Sequence, residues 1–191
     1  MARLEYITLV SGLPRSGTSM MMKMLEAGGM ALVTDGIRTA DEDNPEGYYE
    51  FERVKKIEHD RTWLPEARGK VVKMISALLK HLPADEQFRI VFMRRKIDEV
   101  LRSQRKMLER RGKSVDLADD PKMAEIFTRH LAQVEQWLAE QPNMRVLYVS
   151  YNAMVADPRP HCEAVAAFLD GHLDVDRMTR VVSGELYRNR A

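Results

Sequence analysis

Residues 6–25, YITLVSGLPRSGTSMMMKML, join an apolar run of β-forming residues to a stripe of methionines at helical spacing through a loop that carries two glycines. A strand that turns through such a loop straight into a helix is the first half of a βα unit, and it commits the chain to an α/β fold with a parallel sheet. It also makes an anion site, because the backbone N–H groups at a helix start have no partners within the helix and the helix dipole favours negative charge there. Gly12 and Gly17 stand where the phosphate-loop pattern G-x-x-x-x-G-K-[ST] has its glycines, and Thr18 and Ser19 add hydroxyls. Thr18, however, takes the lysine position of that pattern, and the nearest cation is Arg15, inside the loop. A triphosphatase needs that lysine on the β and γ phosphates, so triphosphate hydrolysis is not expected. The cradle suits instead the transfer of one anionic group from a nucleotide 5′-phosphate, with Arg15 stabilising charge on the leaving phosphate.

The rest of the chain continues the alternation. Apolar runs at 6–11, 70–75, 89–93 and 145–150 read as buried strands, and segments of helical period separate them. Met20, Met21, Met24 and Leu25 form one helical stripe, and Val100, Leu101, Gln104, Met107 and Leu108 a second. Met123, Phe127, Leu131, Val134 and Leu138 form a third over about 121–140; a fourth helix opens at ADPRP and closes at Gly171, with Val165, Phe168 and Leu169 inward. The pattern predicts a phosphate-loop-type three-layer αβα fold around a parallel sheet of about four to five strands. With 191 residues and neither repeats nor a Pro/Gly/Ser-rich linker, a single domain over 1–191 is expected. A net charge of +1 gives no general attraction to nucleic acid or to an anionic membrane, and no apolar run is long enough for a membrane span. The lone Cys162 cannot form an intramolecular disulfide, which makes a reducing cytoplasm the expected setting. The thirteen methionines read as core filler rather than a soft binding surface.

The segment GLPRSGTS fits every position of G-x-P-[KR]-S-G-T-[ST], and in this it resembles the 5′-phosphosulfate loop of PAPS-dependent sulfotransferases. The resemblance implies sulfuryl transfer from PAPS (3′-phosphoadenosine 5′-phosphosulfate) to a hydroxyl or amine, with PAP as product and no metal. Gly12, Pro14, Arg15, Ser16, Gly17, Thr18 and Ser19 are then the residues around the 5′-phosphosulfate. In RIVFMRRKIDEVLRSQ, Arg95 at a strand end and Ser103 eight residues later match the family's 3′-phosphate pair. A donor phosphorylated at both ends needs two cationic handholds. YVSYNAMVADPRP is similar to the family's Tyr-x-x-[Leu/Met]-x-x-Asp-Pro stretch, which puts Tyr151 against the adenine, with Met154, Asp157 and Pro158 in step. LYRNRA ends the chain with Arg188 and Arg190, resembling a basic C-terminal loop that closes over the 3′-phosphate. These matches span about residues 6 to 170.

One part of the family pattern is missing. Many members carry a catalytic His two residues after a Lys on the second strand, whereas Lys73 is followed here by Met74 and Ile75; His81, further on, reads as a surface residue of a short helix. Some relatives use a carboxylate between the loop and the second strand, and that interval holds Asp35, Asp41, Asp43, Glu46, Glu50 and Glu52. Glu50 ranks first as base, because it follows an Asn44–Gly47 type I turn and stands among Tyr48, Tyr49 and Phe51. Asp35 ranks second, about twenty residues beyond Arg15. Tyr48, Tyr49 and Trp63 suggest a small-molecule or carbohydrate acceptor, and the shortness of the chain leaves room for a homo-oligomer that completes the acceptor side. Two rival readings are a phosphate-loop kinase for a small molecule, and a non-catalytic nucleotide-binding relative that kept the cradle.

Overall fold

The computed structural model describes residues 5–36, 49–110, 112 and 120–182. Four parallel strands, β1 (Tyr6–Gly12), β2 (Val71–Lys73), β3 (Gln87–Arg94) and β4 (Met144–Ser150), lie in the order β2-β1-β3-β4. This is the lower end of the expected strand number, and all four strands fall on the four apolar runs. The glycine loop leaves β1, so it opens in the middle of the sheet rather than at its rim.

Alternation along the strands builds two separate cores, because successive residues face opposite sides of a sheet. Tyr6 and Val10 of β1, Val91 and Met93 of β3, and Val149 of β4 face one layer. That layer consists of α1 (Thr18–Ala27), α5 (Tyr151–Ala156), α6 (Pro158–Phe168) and α7 (Val175–Val181). Ile7 and Leu9, with Phe88, Ile90 and Phe92, face the other. There they meet Val54, Ile57, Trp63, Leu64, Leu79 and Leu82 of the 51–82 region, including α2 (Leu64–Ala67), together with Leu138 of α4 (Asp120–Ala139). The methionines after the loop are core: Met20, Met21, Met22, Met24, Met30, Met93, Met154 and Met178 all lie in the first cluster. Cys162 is buried with them, and burial pushes its thiol pKa up.

The expected helices form, α3 (Ile97–Arg110) among them, and α4 carries the predicted stripe, although only Leu138 of that stripe is fully buried. The short helix expected around His81 is a 3₁₀ helix, Ser76–His81, and three further short elements accompany these: α2, α5 and a 3₁₀ helix at Glu52–Lys56. The helix α7 also lies beyond the last predicted one. The irregular stretch after α1 is sewn to the free edge of β2, where Val71 N donates to Ala31 O and Val33 N to Val71 O, both at 2.9 Å. Among the described residues no helix is long and apolar enough to cross a membrane.

Candidate active site

Strand register decides which side chains meet. Gly12 is level with Met93, Val10 with Lys73, and Arg94 with Ser150, so the loop, Lys73, Arg95 and Tyr151 gather at the carboxyl edge of the sheet. The loop itself is shaped by two glycines. A Cβ on Gly12 would lie 2.6 Å from the Met93 carbonyl and 2.6 Å from Ser16 Oγ; one on Gly17, at φ 96°, would lie 2.3 Å from Cδ2 of Tyr151. Gly17 is also the N-cap of α1 and has no side chain with which to cap it, so the first amides of the helix are left to a ligand. Ser16 Oγ is buried and meets no hydrogen-bond partner among the described residues. A buried, unsatisfied hydroxyl beside the uncapped start of a helix fits an anion that supplies the missing acceptor. Gly17→Ala is expected to cost about 2 to 3 kcal/mol, combining left-handed strain with overpacking against a buried ring, and a urea melt measures it.

Arg15 adopts φ 71°, a left-handed conformation that costs a non-glycine residue about 1 to 2 kcal/mol and persists only when its surroundings hold it. Two contacts do so. Arg15 Nε donates to Ser103 Oγ at 2.9 Å, and Nη1 of Arg95 donates to the Arg15 carbonyl at 3.1 Å. The two handholds that the sequence places eighty residues apart are therefore tied to each other, because β3 lies beside β1 and α3 returns Ser103 over the loop.

Arg95 is itself locked. Its side chain is 6% exposed and pairs at 3.0 Å with Glu99, which is 1% exposed; Asn152 Nδ2 donates to the second Glu99 oxygen at 2.7 Å. The Arg95 guanidinium also lies 4.3 Å from the centroid of the Tyr151 ring. Tyr151, 3% exposed, thus packs between Gly17 and Arg95 and belongs to the core beneath the loop. Glu99 and Asn152 carried no signal in the sequence beyond an acid in the first turn of a helix and a polar residue after a strand.

Lys73 is the residue that sequence reasoning passed over. Its Nζ donates to Ser19 Oγ at 2.9 Å, which brings a second cation to the loop from the neighbouring strand. Thr18 stands where the phosphate-loop pattern has its lysine, and the parallel register of β1 and β2 brings an ammonium to the loop from Lys73 instead. A lysine ending a strand that pairs with the loop strand is the signal that would have found it.

The two ranked acids meet each other beside β2. The bridge Leu32↔Val71 carries Asp35 toward the carboxyl edge, and Asp35 N donates to the Glu50 carbonyl at 3.3 Å. Asp35 Oδ2 accepts from the Glu52 amide at 2.6 Å and so caps the 3₁₀ helix Glu52–Lys56; Glu50 Oε2 lies 3.9 Å from Lys55 Nζ. Trp63 is core, packed edge-on against Phe51 with centroids 5.4 Å apart. Pro14 lies on the loop and is exposed. Asp41, Asp43, the 44–47 turn with Glu46, Tyr48, Arg188 and Arg190 fall outside the described residues.

A sequence profile described as the sulfotransferase family matches residues 44–174, more than two thirds of the chain, and leaves the loop at 12–19 outside the match. No curated protein sequence matches the chain. Among solved structures, a sulfotransferase domain from the curacin biosynthetic pathway superposes with TM-score 0.55 at 15% identity, covering 97% of this chain and 80% of that one. Retinol dehydratase, in complex with androsterone and the inactive cofactor PAP, gives TM-score 0.57 at 17% identity, with 99% and 67% covered. A sulfotransferase from Alicyclobacillus acidocaldarius gives 0.53 at 15% identity, with 92% and 83% covered. At such identities these structures share the fold with this chain.

Proposed function

This chain belongs to the sulfotransferase family, and from that premise we propose that it draws its sulfuryl group from PAPS, held by the loop 12–19 at one end and by Arg95 and Ser103 at the other. The enzyme is a sulfotransferase. Bound PAPS supplies an activated sulfuryl group that passes to an acceptor, leaving PAP. The observation that carries the donor assignment is the convergence of Arg15, Lys73 and Arg95 on one glycine loop, around a buried and unsatisfied Ser16 hydroxyl.

Each residue has a distinct part in this reading. The amides that open α1, with the Ser16 hydroxyl, take oxygens of the 5′ group; Arg15 and Lys73 neutralise the charge that grows on the leaving phosphate. Ser103 aims the Arg15 guanidinium, and Arg95 fixes the loop carbonyl that gives Arg15 its unusual backbone. Tyr151 is buried beneath the loop, packed against Gly17 and Arg95, and in this reading its main service is to hold both in place. Residues 1–191 act as one domain, and the acceptor is a small molecule or carbohydrate, a reading supported by the neighbour that was crystallised with androsterone.

Thermal melting tests the donor. PAP at a hundredfold excess over its dissociation constant is expected to add about 2.7 kcal/mol, a rise of roughly 5 to 10 °C for a domain of this size. ATP with magnesium is expected to add little. The reverse pattern favours a phosphate-loop kinase and removes PAPS from the scheme.

A further inference from the structure

Removing a proton from an acceptor hydroxyl requires a base at the carboxyl edge of the sheet. Of the two ranked acids, Asp35 is engaged by the Glu52 amide and Glu50 faces Lys55. A different pair stands at the same edge. Ser76, 2% exposed, lies three residues past Lys73, and its Oγ is 2.8 Å from Nε2 of His130, which comes from α4.

The placement of His130 follows from the direction of α4. The helix leads into the start of β4, so it descends from the carboxyl edge to the amino edge of the sheet, and Leu138 near its end is buried in the core. Glu135 pairs with Arg94, the last residue of β3, at 2.7 Å. His130 is five residues nearer the start of the helix, about 7.5 Å higher at 1.5 Å per residue. The imidazole therefore stands above the strand ends, on the side of β2, the strand that sends Lys73 to the loop.

Resting on the sulfotransferase reading, we propose that His130 is the general base, with Nδ1 as the proton-accepting atom and Ser76 as the positioning residue that receives the Nε2–H bond. Of the two ring nitrogens, only Nε2 meets a protein partner among the described residues. Ser76 is too buried to reach an acceptor itself, so its part is to fix the ring and its tautomer. In the step, the acceptor oxygen forms its bond to sulfur as the bond from sulfur to the 5′-phosphate oxygen breaks. The hydroxyl proton goes to Nδ1, the bonding electron pair leaves with PAP, and the imidazolium later returns the proton to solvent.

The surroundings keep the ring in its accepting form. Burial lowers the His130 pKa from its ordinary value, and Lys80 on the 3₁₀ helix Ser76–His81 lowers it further. The charged groups that β3 and α3 turn toward α4 are matched: Arg94 pairs with Glu135, and Arg105 with Asp120 at 3.0 Å. The imidazole is thus neutral at neutral pH, and activity is expected to fall on the acid side as the ring takes up its proton.

Long-range proton–nitrogen NMR, with the five histidines assigned through a His130→Gln variant, reads the tautomer without any turnover. Expected are a protonated Nε2, a lone pair on Nδ1, and a titration shifted below the ordinary histidine range; a protonated Nδ1 at neutral pH overturns the assignment. In parallel, PAP formation from PAPS is followed with 2-naphthol and with water as acceptors. His130→Gln is expected to slow it about a hundredfold and to remove the acid limb, while the PAP-induced melting shift stays that of the wild type. Turnover within threefold of wild type, with that shift intact, overturns the proposal. Ser76→Ala, the milder change, is expected to scramble the tautomer and slow turnover less; an unchanged tautomer and rate also overturn it. Loss of the PAP shift in the wild type itself points instead to a failure of the donor reading.

Discussion

Arg15→Ala is expected to lower turnover by about 10² to 10³, roughly 3 to 4 kcal/mol of transition-state stabilisation. Alanine keeps a Cβ, so the left-handed backbone at position 15 is as strained as before, and the measured loss belongs to the guanidinium. Lys73 still reaches Ser19 from β2 and Arg95 still holds the carbonyl of residue 15, so positive charge remains at the loop and sets a floor under the residual rate. The discriminating measurement is kcat at saturating PAPS, because a group that acts on developing charge affects kcat more than donor binding. Arg15→Lys keeps the charge but loses the directed bond to Ser103, and its rate should fall between the two. A kcat near wild type in the alanine variant removes Arg15 from the chemistry.

Glu99→Gln is expected to destabilise the fold by about 3 to 5 kcal/mol, the range for breaking a buried ion pair by deleting one partner. Arg95 and Glu99 are both almost wholly buried, so solvent does not screen the loss. The amide adds a second fault, since Asn152 donates to one Glu99 oxygen and Arg95 to the other, and a Gln offers only one acceptor oxygen. At about 2 to 4 °C per kcal/mol for a chain of this length, the melting temperature should drop by roughly 6 to 20 °C. Replacing both partners, with Arg95→Met and Glu99→Leu, should recover much of that stability while losing PAP affinity. A single variant that melts within a degree or two of wild type contradicts a strongly coupled pair.

The strands were legible because buried parallel strands are short continuous runs of β-branched and aromatic residues, and Tyr6–Gly12 and Gln87–Arg94 are such runs. The long helices were legible from period, and the loop from glycine spacing. The six-residue α5 was not: Tyr151–Ala156 has fewer than two turns, and Ser150, which caps it by accepting from Ala153 N, also ends a strand. Lys73 was legible on the second strand but its role was not, because its meaning depends on which strand lies beside β1, and that is a property of topology. The Ser76–His130 contact joins residues 54 apart on elements that share no local pattern, so only the folded chain brings them together.

The layer beneath α1 and the loop above it differ in how much change they admit. Thioethers fill that layer from Met20 to Met178, and an unbranched, flexible side chain of this kind gives way to Leu at little expense, usually under about 1.5 kcal/mol. Positions 12 and 17 resist anything larger than hydrogen, since one closes on a carbonyl and the other on a buried ring. Sequence drift in this protein therefore has its latitude underneath the helix and almost none at the turn that precedes it, a contrast that a library randomised at both places would display as two opposite survival rates.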